Sequence, residues 1–404
     1  MRRWQGWKAL AHEVVDSVVD LVEEGHESTS RAVLAAAALV PGALAPAREI
    51  DALRRAATSG VLDSIRAANR VAARVSDLAL EAALGDDDAG GEEVPVPMRS
   101  DIVLSAAVAL DQLGGVLNGI AGDSLAARGN PLAEPLRLRW RDLYLPRDRT
   151  ERRAALAGAT PRIAVFVHGL ATSEWSWCLN AVEHHGDAHL NFGTLLARDL
   201  GYSPVWVRYN SGLPIDHNGA ELAEQLESLL DAWPEPVESL VLIGHSMGGL
   251  VARAACARES RWRESVSHVF CLGSPHDGAD LERGGELLTR ALLAVDHPAT
   301  RVLGRIGDRR SAGIKDLRHG LRVTDTSAGS FTCHYIGGTL SEDPDHPVAR
   351  MIGDLLVRLP SAHARLAGDE TVLTSHVGGV MHQNLSNHPA VYREILRTLS
   401  RRGR

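Results

Sequence analysis

The feature that most constrains this chain is a series of short apolar runs separated by helical stretches. These runs begin near residue 135 and occupy Ile163–Val167, Pro204–Val207, Leu240–Ile243, His268–Leu272 and Phe331–Ile336. Continuous apolar strands joined by helices are typical of a parallel sheet that is covered on both faces. The weakly alternating run Leu136–Tyr144 predicts an antiparallel strand that enters this sheet. We therefore expect an α/β fold with catalytic groups at the carboxyl ends of its strands.

Two further regions flank or interrupt the predicted sheet. The first 85 residues show helical periodicity, and the acidic, glycine-rich segment 85–93 that follows is typical of a linker. We predict an N-terminal helical region at 1–92 and a catalytic domain at 93–404. About fifty residues, near 278–330, separate two predicted strands and carry leucine pairs at helical spacing, which predicts a cap or lid insertion. An ordinary pair of surface helices is the alternative.

Composition excludes several kinds of function. The formal net charge of −8 argues against a general nucleic-acid binder. Lys8 and Lys315 are the only lysines, which argues against chemistry that needs a buried catalytic amine. Four dispersed cysteines form no CxxC pair, and the acidic and histidine residues at 183–189 lack a metal-binding spacing. We expect no metal and no cofactor. Because no apolar signal segment follows Met1, we expect a cytoplasmic protein.

The segment Gly244–Gly248 carries the strongest catalytic signal. It reads G-x-S-x-G, directly after the predicted strand Leu240–Ile243 and directly before a helical run. In that context the motif is a nucleophile elbow, a tight turn that exposes the serine hydroxyl above the sheet. Side chains at either glycine would clash with the neighbouring strand and helix. Ser246 is therefore the predicted nucleophile.

A second motif follows an earlier strand, at His168-Gly169-Leu170. Acyl transfer needs backbone N–H donors aimed at the developing oxyanion, and we predict Leu170 and Met247 as these donors. His168 is interpreted as a structural residue that holds the loop. Trp175 and Trp177 come shortly afterwards. They are predicted to line the mouth of the substrate pocket, with core packing as an equal alternative.

The sequences of these motifs and their order along the chain resemble those of the α/β-hydrolase superfamily. Within it, the chain is similar to bacterial esterases and lipases related to the GPI inositol-deacylase-like hydrolases. The resemblance covers about residues 135–400, with a lead-in segment at 105–139. The matching segments are VFVHGLATSEWSW, VRYNSGLPIDHNGAELA, LVLIGHSMGGLVAR, LGSPHDGADLER, GIKDLRHG and HQNLSNHPAVYREIL. The resemblance implies an α/β-hydrolase fold with a mostly parallel sheet, a lid insertion and an N-terminal helical extension.

The resemblance also implies the other two members of a catalytic triad. Its chain order of serine, acid and histidine places the acid at Asp354, although Leu355 replaces the second glycine of the group's Gly-Asp-Gly. Four other carboxylates remain alternatives: Asp343, Asp345, Asp369 and Glu370. A last strand is predicted at Thr371–Leu373, and His382, which follows it, matches the group's histidine. The alternative bases are His376 and His388, and we interpret His388 as a capping residue because Pro389 follows it.

These residues predict a serine hydrolase that cleaves carboxylic esters through an acyl-enzyme. The expected partner is a small-molecule or lipid ester, with no nucleic acid. Transient contact with a membrane or lipid surface is a further expectation, and the sequence leaves the oligomeric state open. An acyltransferase with the same triad and a non-catalytic binding scaffold are the alternatives. Labelling by a fluorophosphonate separates the scaffold from the enzymes.

Substitution of the carboxylates tests the predicted acid. Asp354→Asn should lower kcat for ester hydrolysis by orders of magnitude, because the histidine would be held in the wrong tautomer. Asp345→Asn and Asp369→Asn should have little effect in the same steady-state assay. The reverse ranking would move the acid away from Asp354.

Overall fold

The computed structural model describes residues 98, 106–127, 133–278, 311–320, 331–339, 341, 357, 359–362 and 372–401. The chain divides into two compact units, one of which comprises Gly90–Val103, Asp111–Asp280 and Arg310–Arg404. Apart from one turn of helix at 106–110, all described residues belong to this unit. The predicted helical region 1–92 and most of the predicted lid at 278–330 lie outside the described residues. The predicted domain boundaries therefore stay predictions.

Strands and helices alternate along most of the described chain. The strands are β1 Arg137–Trp140, β2 Leu143–Tyr144, β3 Arg162–Val167, β4 Ser203–Arg208, β5 Ser239–His245, β6 Val266–Leu272, β7 Thr332–Thr339 and β8 Val372–Gly378. The α-helices are α1 Ala106–Ala127, α2 Arg149–Ala155, α3 Ala181–His185, α4 Phe192–Leu200, α5 Ile215–Ala232, α6 Met247–Cys256, α7 Ala312–His319, α8 Leu359–Ala362 and α9 Pro389–Ser400. Short 3₁₀ helices occupy Glu174–Cys178, Arg261–Ser265 and His382–Ser386. None of the described helices is long and apolar enough to span a membrane.

The described strands form one eight-stranded sheet in the order β2-β1-β4-β3-β5-β6-β7-β8. The strand β1 is antiparallel to β2 and β4, while β3 to β8 are mutually parallel. An antiparallel entry followed by parallel strands that alternate with helices is the α/β-hydrolase fold. The predicted fold class is thus confirmed.

Helices on both faces bury the central strands. All of Ile163–Val167 in β3 and Leu240–Ile243 in β5 have no solvent exposure. On one face Phe166 contacts Trp177, which in turn contacts Phe192 of α4. On the other face Gly249 of α6 lies against Cys271 of β6. Coverage on both sides explains why these strands are continuously apolar, as predicted.

Two strand boundaries differ from the prediction. The run Leu136–Tyr144 forms two strands, because a tight turn at Arg141, with φ 52°, folds β2 back on β1. The last strand was expected at 371–373 but β8 extends to Gly378. It lies at the edge of the sheet, and its Leu373 is 56% exposed. An edge strand tolerates polar residues such as Thr374 and Ser375, so its apolar pattern understates its length.

Candidate active site

Ser246 is the single residue between the end of β5 and the start of α6. Its backbone has φ 53° and ψ −123°, an uncommon conformation for a residue with a side chain. Its N–H donates to the carbonyl oxygen of Leu272 in the adjacent strand β6 at 2.8 Å. The strand–turn–helix context that the sequence predicts is therefore present. Such a turn lifts the serine hydroxyl out of the sheet and places it at a helix N-terminus.

Gly244 and Gly248, on either side of Ser246, leave no room for a side chain. A Cβ at Gly244 would lie 2.4 Å from the Cα of Gly249 in α6. A Cβ at Gly248 would lie 2.1 Å from the carbonyl oxygen of Val167 in β3. Neither distance is compatible with a side chain, because the clashing atoms are backbone. The predicted clash with helix and strand is confirmed.

The loop after β3 lies directly beside the nucleophile. A Cβ at Gly169 would approach the Cβ of Ser246 to 3.2 Å. The N–H of Ala171, which has φ 55°, donates to the Ser211 hydroxyl at 3.0 Å. Leu170 lies between Gly169 and Ala171, and Met247 follows Ser246. The two predicted oxyanion donors thus belong to neighbouring segments at the carboxyl ends of β3 and β5.

His168 holds this loop from within. Its Nδ1 is 2.8 Å from the carbonyl oxygen of Gly169, so Nδ1 carries the proton. The imidazole stacks on the Tyr209 ring at 4.4 Å, and the Tyr209 hydroxyl donates to the His168 carbonyl at 2.8 Å. Complete burial lowers the pKa of His168 to about 4. These contacts agree with the structural role inferred for His168.

His382, the predicted base, lies in the segment that follows β8. It begins the 3₁₀ helix that follows β8, and it is 4% exposed. The ring of His245, the neighbour of Ser246, lies 4.9 Å from the His382 ring between centroids. The two alternative bases make other contacts. His376 bonds to the Thr339 hydroxyl at 2.6 Å, and His388 caps α9 by accepting from the Ala390 N–H at 3.3 Å.

The predicted acid lies outside the described residues. Asp354 and its alternatives Asp343, Asp345, Asp369 and Glu370 are all among the residues that the structure leaves undescribed. The third member of the proposed triad therefore stays a prediction.

The structure gives Trp175 and Trp177 core positions. Trp175 is 1% exposed, and its indole N–H donates to Asp111 at 3.0 Å. Trp177 has no exposure and packs edge-on against Phe166, with ring centroids 5.1 Å apart. These contacts match the core-packing alternative and correct the interpretation that the indoles line the pocket. Neither residue is carried into the proposed substrate site.

The residues Glu183 to His189 likewise have structural contacts. His184 Nδ1 and His185 Nε2 each lie 3.0 Å from the Asn387 carbonyl oxygen. They connect α3 to the segment that precedes α9. No group of three or more metal-ligating side chains occurs in the part of the chain that the structure describes.

A buried ionic network centred on Arg208 was not foreseen from the sequence. Arg208 forms two hydrogen bonds of 2.8 Å with Glu174 and one of 2.7 Å with Asp111. Tyr144 donates to Glu174 at 2.5 Å, and Arg139 approaches the same carboxylate at 3.6 Å. Burial by itself disfavours the charged forms of both Arg208 and Asp111. The bonds to Asp111 and the charge of Glu174 nevertheless raise the pKa of Arg208, and Arg208 holds the pKa of Asp111 below its usual range.

The network joins the helix α1 to the oxyanion loop. Asp111 belongs to α1, Arg208 ends β4, and Glu174 begins the 3₁₀ helix that follows the loop. Further along α1 the contact becomes backbone to backbone. A Cβ at Gly119 would lie 2.5 Å from the Cα of Ala171, and one at Gly115 would lie 2.5 Å from the Thr172 carbonyl oxygen. The helix therefore lies directly against the loop.

One part of the predicted lid is described, and it is anchored. The Ser311 hydroxyl donates to the Gly119 carbonyl at 2.6 Å, and the Ala312 N–H donates to Asp123 at 2.9 Å. Asp316 of α7 accepts from the N–H of Ile215, the first residue of α5, at 2.9 Å. A Cβ at Gly313 would lie 3.2 Å from Met247 Cε. The segment 311–320 is thus fixed beside a predicted oxyanion residue, and whether the rest forms a lid stays a prediction.

The sheet order and the elbow together are those of an α/β-hydrolase fold. Comparison with known proteins gives a narrower result, since residues 162–291 match the family described as "PGAP1-like alpha/beta domain". Short segments are also similar to GPI inositol-deacylases. The Kluyveromyces lactis protein is 41% identical over 51 residues, 13% of this chain and 5% of the relative. The Candida albicans protein is 38% identical over 56 residues, 14% of each chain.

The matched segments thus span only 5% to 14% of these curated relatives. Solved structures that match include the mature form of the Bacillus licheniformis lipase BlEst2, with a TM-score of 0.41 and 19% identity over 60% of this chain and 94% of that one. Carboxylesterase CesB from Bacillus subtilis has a TM-score of 0.33 and 15% identity over 60% and 84%. The match over residues 162–291, together with these short segments, confirms the predicted resemblance to this group.

Two glycines of α1 test how the helix supports the oxyanion loop. Gly119→Ala should lower both the unfolding midpoint and kcat for ester hydrolysis, because its Cβ overlaps the backbone of Ala171 and overpacking typically costs about 1–3 kcal/mol. Gly114→Ala is the matched control, since its Cβ would meet only the end of the Glu134 side chain at 3.0 Å. The control should gain up to about 1 kcal/mol of helix propensity and keep its activity. Equal behaviour of the two variants in thermal melts and ester assays would contradict the supporting role of α1.

Proposed function

We propose that this protein is a serine hydrolase of carboxylic esters, acting on lipid-like acyl esters. The observation that carries the proposal is the conformation of Ser246, held between β5 and α6 with His382 beside the elbow. A serine in this setting needs an adjacent imidazole to become a nucleophile. The GPI inositol-deacylases, by their name, remove an acyl group, which supports an acyl ester as the substrate class.

In the proposed mechanism, Ser246 Oγ attacks the ester carbonyl carbon while His382 accepts the hydroxyl proton. Asp354 accepts a hydrogen bond from the imidazole and stabilises its charged form. The backbone N–H groups of Leu170 and Met247 receive the negative charge that develops on the carbonyl oxygen. His382 then gives the proton to the leaving alcohol. A water molecule, deprotonated by the same imidazole, releases the acid and restores Ser246.

The local charge pattern favours this assignment. His168 and His245 flank the elbow, and burial lowers their pKa values to about 4 and about 3. Both rings are neutral at neutral pH, so neither opposes the positive charge that His382 acquires during attack. The large charges nearby, those of Arg208 and its carboxylate partners, are paired with one another. Among the described residues, the charge of Arg208 is therefore balanced by its carboxylate partners.

A serine substitution tests the nucleophile. Ser246→Ala should reduce turnover of p-nitrophenyl esters by about 10³-fold or more, leaving what the oxyanion donors and binding alone supply. Ser400→Ala, at the exposed end of α9, is the control and should match the unaltered protein. A fluorophosphonate should label the unaltered protein and the control but not Ser246→Ala. Retention of more than about a tenth of the turnover in Ser246→Ala would contradict the nucleophile assignment.

A series of acyl chain lengths tests the substrate class with the same three proteins. If the substrate is lipid-like, kcat/KM should rise from acetate to medium-chain esters, since each buried CH₂ contributes about 0.8 kcal/mol. Product analysis with added alcohol separates hydrolysis from acyl transfer. Labelling of Ser246 without turnover of any ester would reject hydrolysis of esters while retaining an activated serine.

A further inference from the structure

His245, the residue before the nucleophile, contacts the segment that carries the base. Its Nε2 lies 2.9 Å from the carbonyl oxygen of His382. The two residues are 137 positions apart in sequence, so this bond joins the elbow to the loop after β8. The imidazole of His245 also lies against Gly169, where a Cβ would approach its Nδ1 to 3.3 Å. Nucleophile, oxyanion loop and base loop thus meet at one side chain.

The bond fixes the protonation state of His245. A carbonyl oxygen only accepts hydrogen bonds, so Nε2 carries the proton and Nδ1 carries the lone pair. Among the described residues, no donor reaches Nδ1. Burial, followed by repulsion from His382, lowers the pKa of His245 to about 3. A cationic His245 would stand 4.9 Å from the imidazolium that forms on His382 and would oppose it.

We propose that His245 is a positioning residue, whose Nε2–H bond to the His382 carbonyl sets the placement of the base relative to Ser246. This inference rests on the proposed function. It adds that His245, the second residue of the G-x-S-x-G motif, acts through its hydrogen bond and not through its volume.

The geometry explains why a donor is needed at this point. His382 begins a short 3₁₀ helix directly after an irregular segment, and it is 4% exposed. A hydrogen bond from the rigid imidazole of the adjacent segment therefore restrains the position at which this helix begins. An apolar residue at 245 would fill the space but leave the oxygen without this donor. A base displaced by about 1 Å can lose about 10²-fold in rate.

Three variants separate the hydrogen bond from the volume. His245→Leu removes the donor. His245→Gln places an amide N–H at the same number of bonds from Cβ as Nε2, whereas the amide of His245→Asn ends at the position of Nδ1. We expect kcat to fall about 10- to 100-fold in His245→Leu and His245→Asn with KM changed less than about twofold. His245→Gln should recover most of the lost kcat. Equal impairment of all three variants, a change confined to KM, or no change in His245→Leu would overturn the proposal.

A measurement without turnover makes the test independent of the proposed function. In ¹⁵N-histidine-labelled protein, the signals of His245 and His382 are assigned by their loss in His245→Gln and His382→Gln. At pH 7 the unaltered protein should show His245 as the neutral Nε2–H tautomer. The His382 signals should shift or broaden in His245→Leu and return toward their positions in His245→Gln. A charged or Nδ1–H His245, or His382 signals that ignore the substitution, would overturn the proposal even if no ester is hydrolysed.

Discussion

The backbone of Ser246 is the constraint on which the rest of the site depends. A residue with a side chain at φ 53° costs of order 1–3 kcal/mol, so its surroundings must hold it there. The strand β5 is paired on both sides, by β3 and β6, and therefore cannot shift. The bond from the Ser246 N–H to the Leu272 carbonyl continues that pairing into the turn. Because residues 244 and 248 are glycines, β5 can pack closely on α6, and α6 on β3, and this close packing holds the turn at Ser246.

The Arg208 network consists of charged side chains in a largely buried place, where apolar packing is more common. Buried ion pairs contribute little net stability compared with apolar packing, but they can specify one arrangement. Here two arginines, Arg208 and Arg139, face three carboxylates that come from different segments, those of Glu174, Asp111 and Glu134. An apolar cluster would tolerate sliding of α1 along the loop. Paired charges with fixed geometry do not, so the network sets the register in which Gly115 and Gly119 meet the loop backbone.

The sequence was sufficient for features that depend on local patterns. Continuous apolar runs predicted the central strands because both faces of β3 and β5 are buried. The glycine requirement at 244 and 248 also followed from the motif, since a strand–turn–helix leaves only one way to pack. The edge strand β8 was predicted too short because its polar residues carry no such pattern.

Features that depend on distant residues could not be predicted in this way. Glu174 and Arg208 are 34 positions apart, and neither has a neighbour in sequence that shows its partner. The indoles of Trp175 and Trp177 follow a loop that reaches the site, yet their burial depends on Asp111 and Phe166 from other elements. The partner of His245 lies 137 residues away. Composition and spacing carry no information on contacts between such distant residues. A charged or aromatic residue directly after a buried strand does, however, indicate a position where such a contact can be expected.

The imidazoles of His168 and His245 play the same part at two places in the site, since each bonds to a backbone carbonyl oxygen. The loop after β3 and the segment after β8 are irregular, because regular structure would not place N–H groups and a base around one atom. Carbonyl oxygens in such short segments can accept hydrogen bonds from side chains of neighbouring segments. His168 supplies a donor to Gly169, and His245 supplies one to His382. A neutral imidazole suits this task because its ring is rigid and its second nitrogen needs no proton. Because burial holds both pKa values far below neutrality, both rings keep their tautomers at the pH at which a histidine base operates.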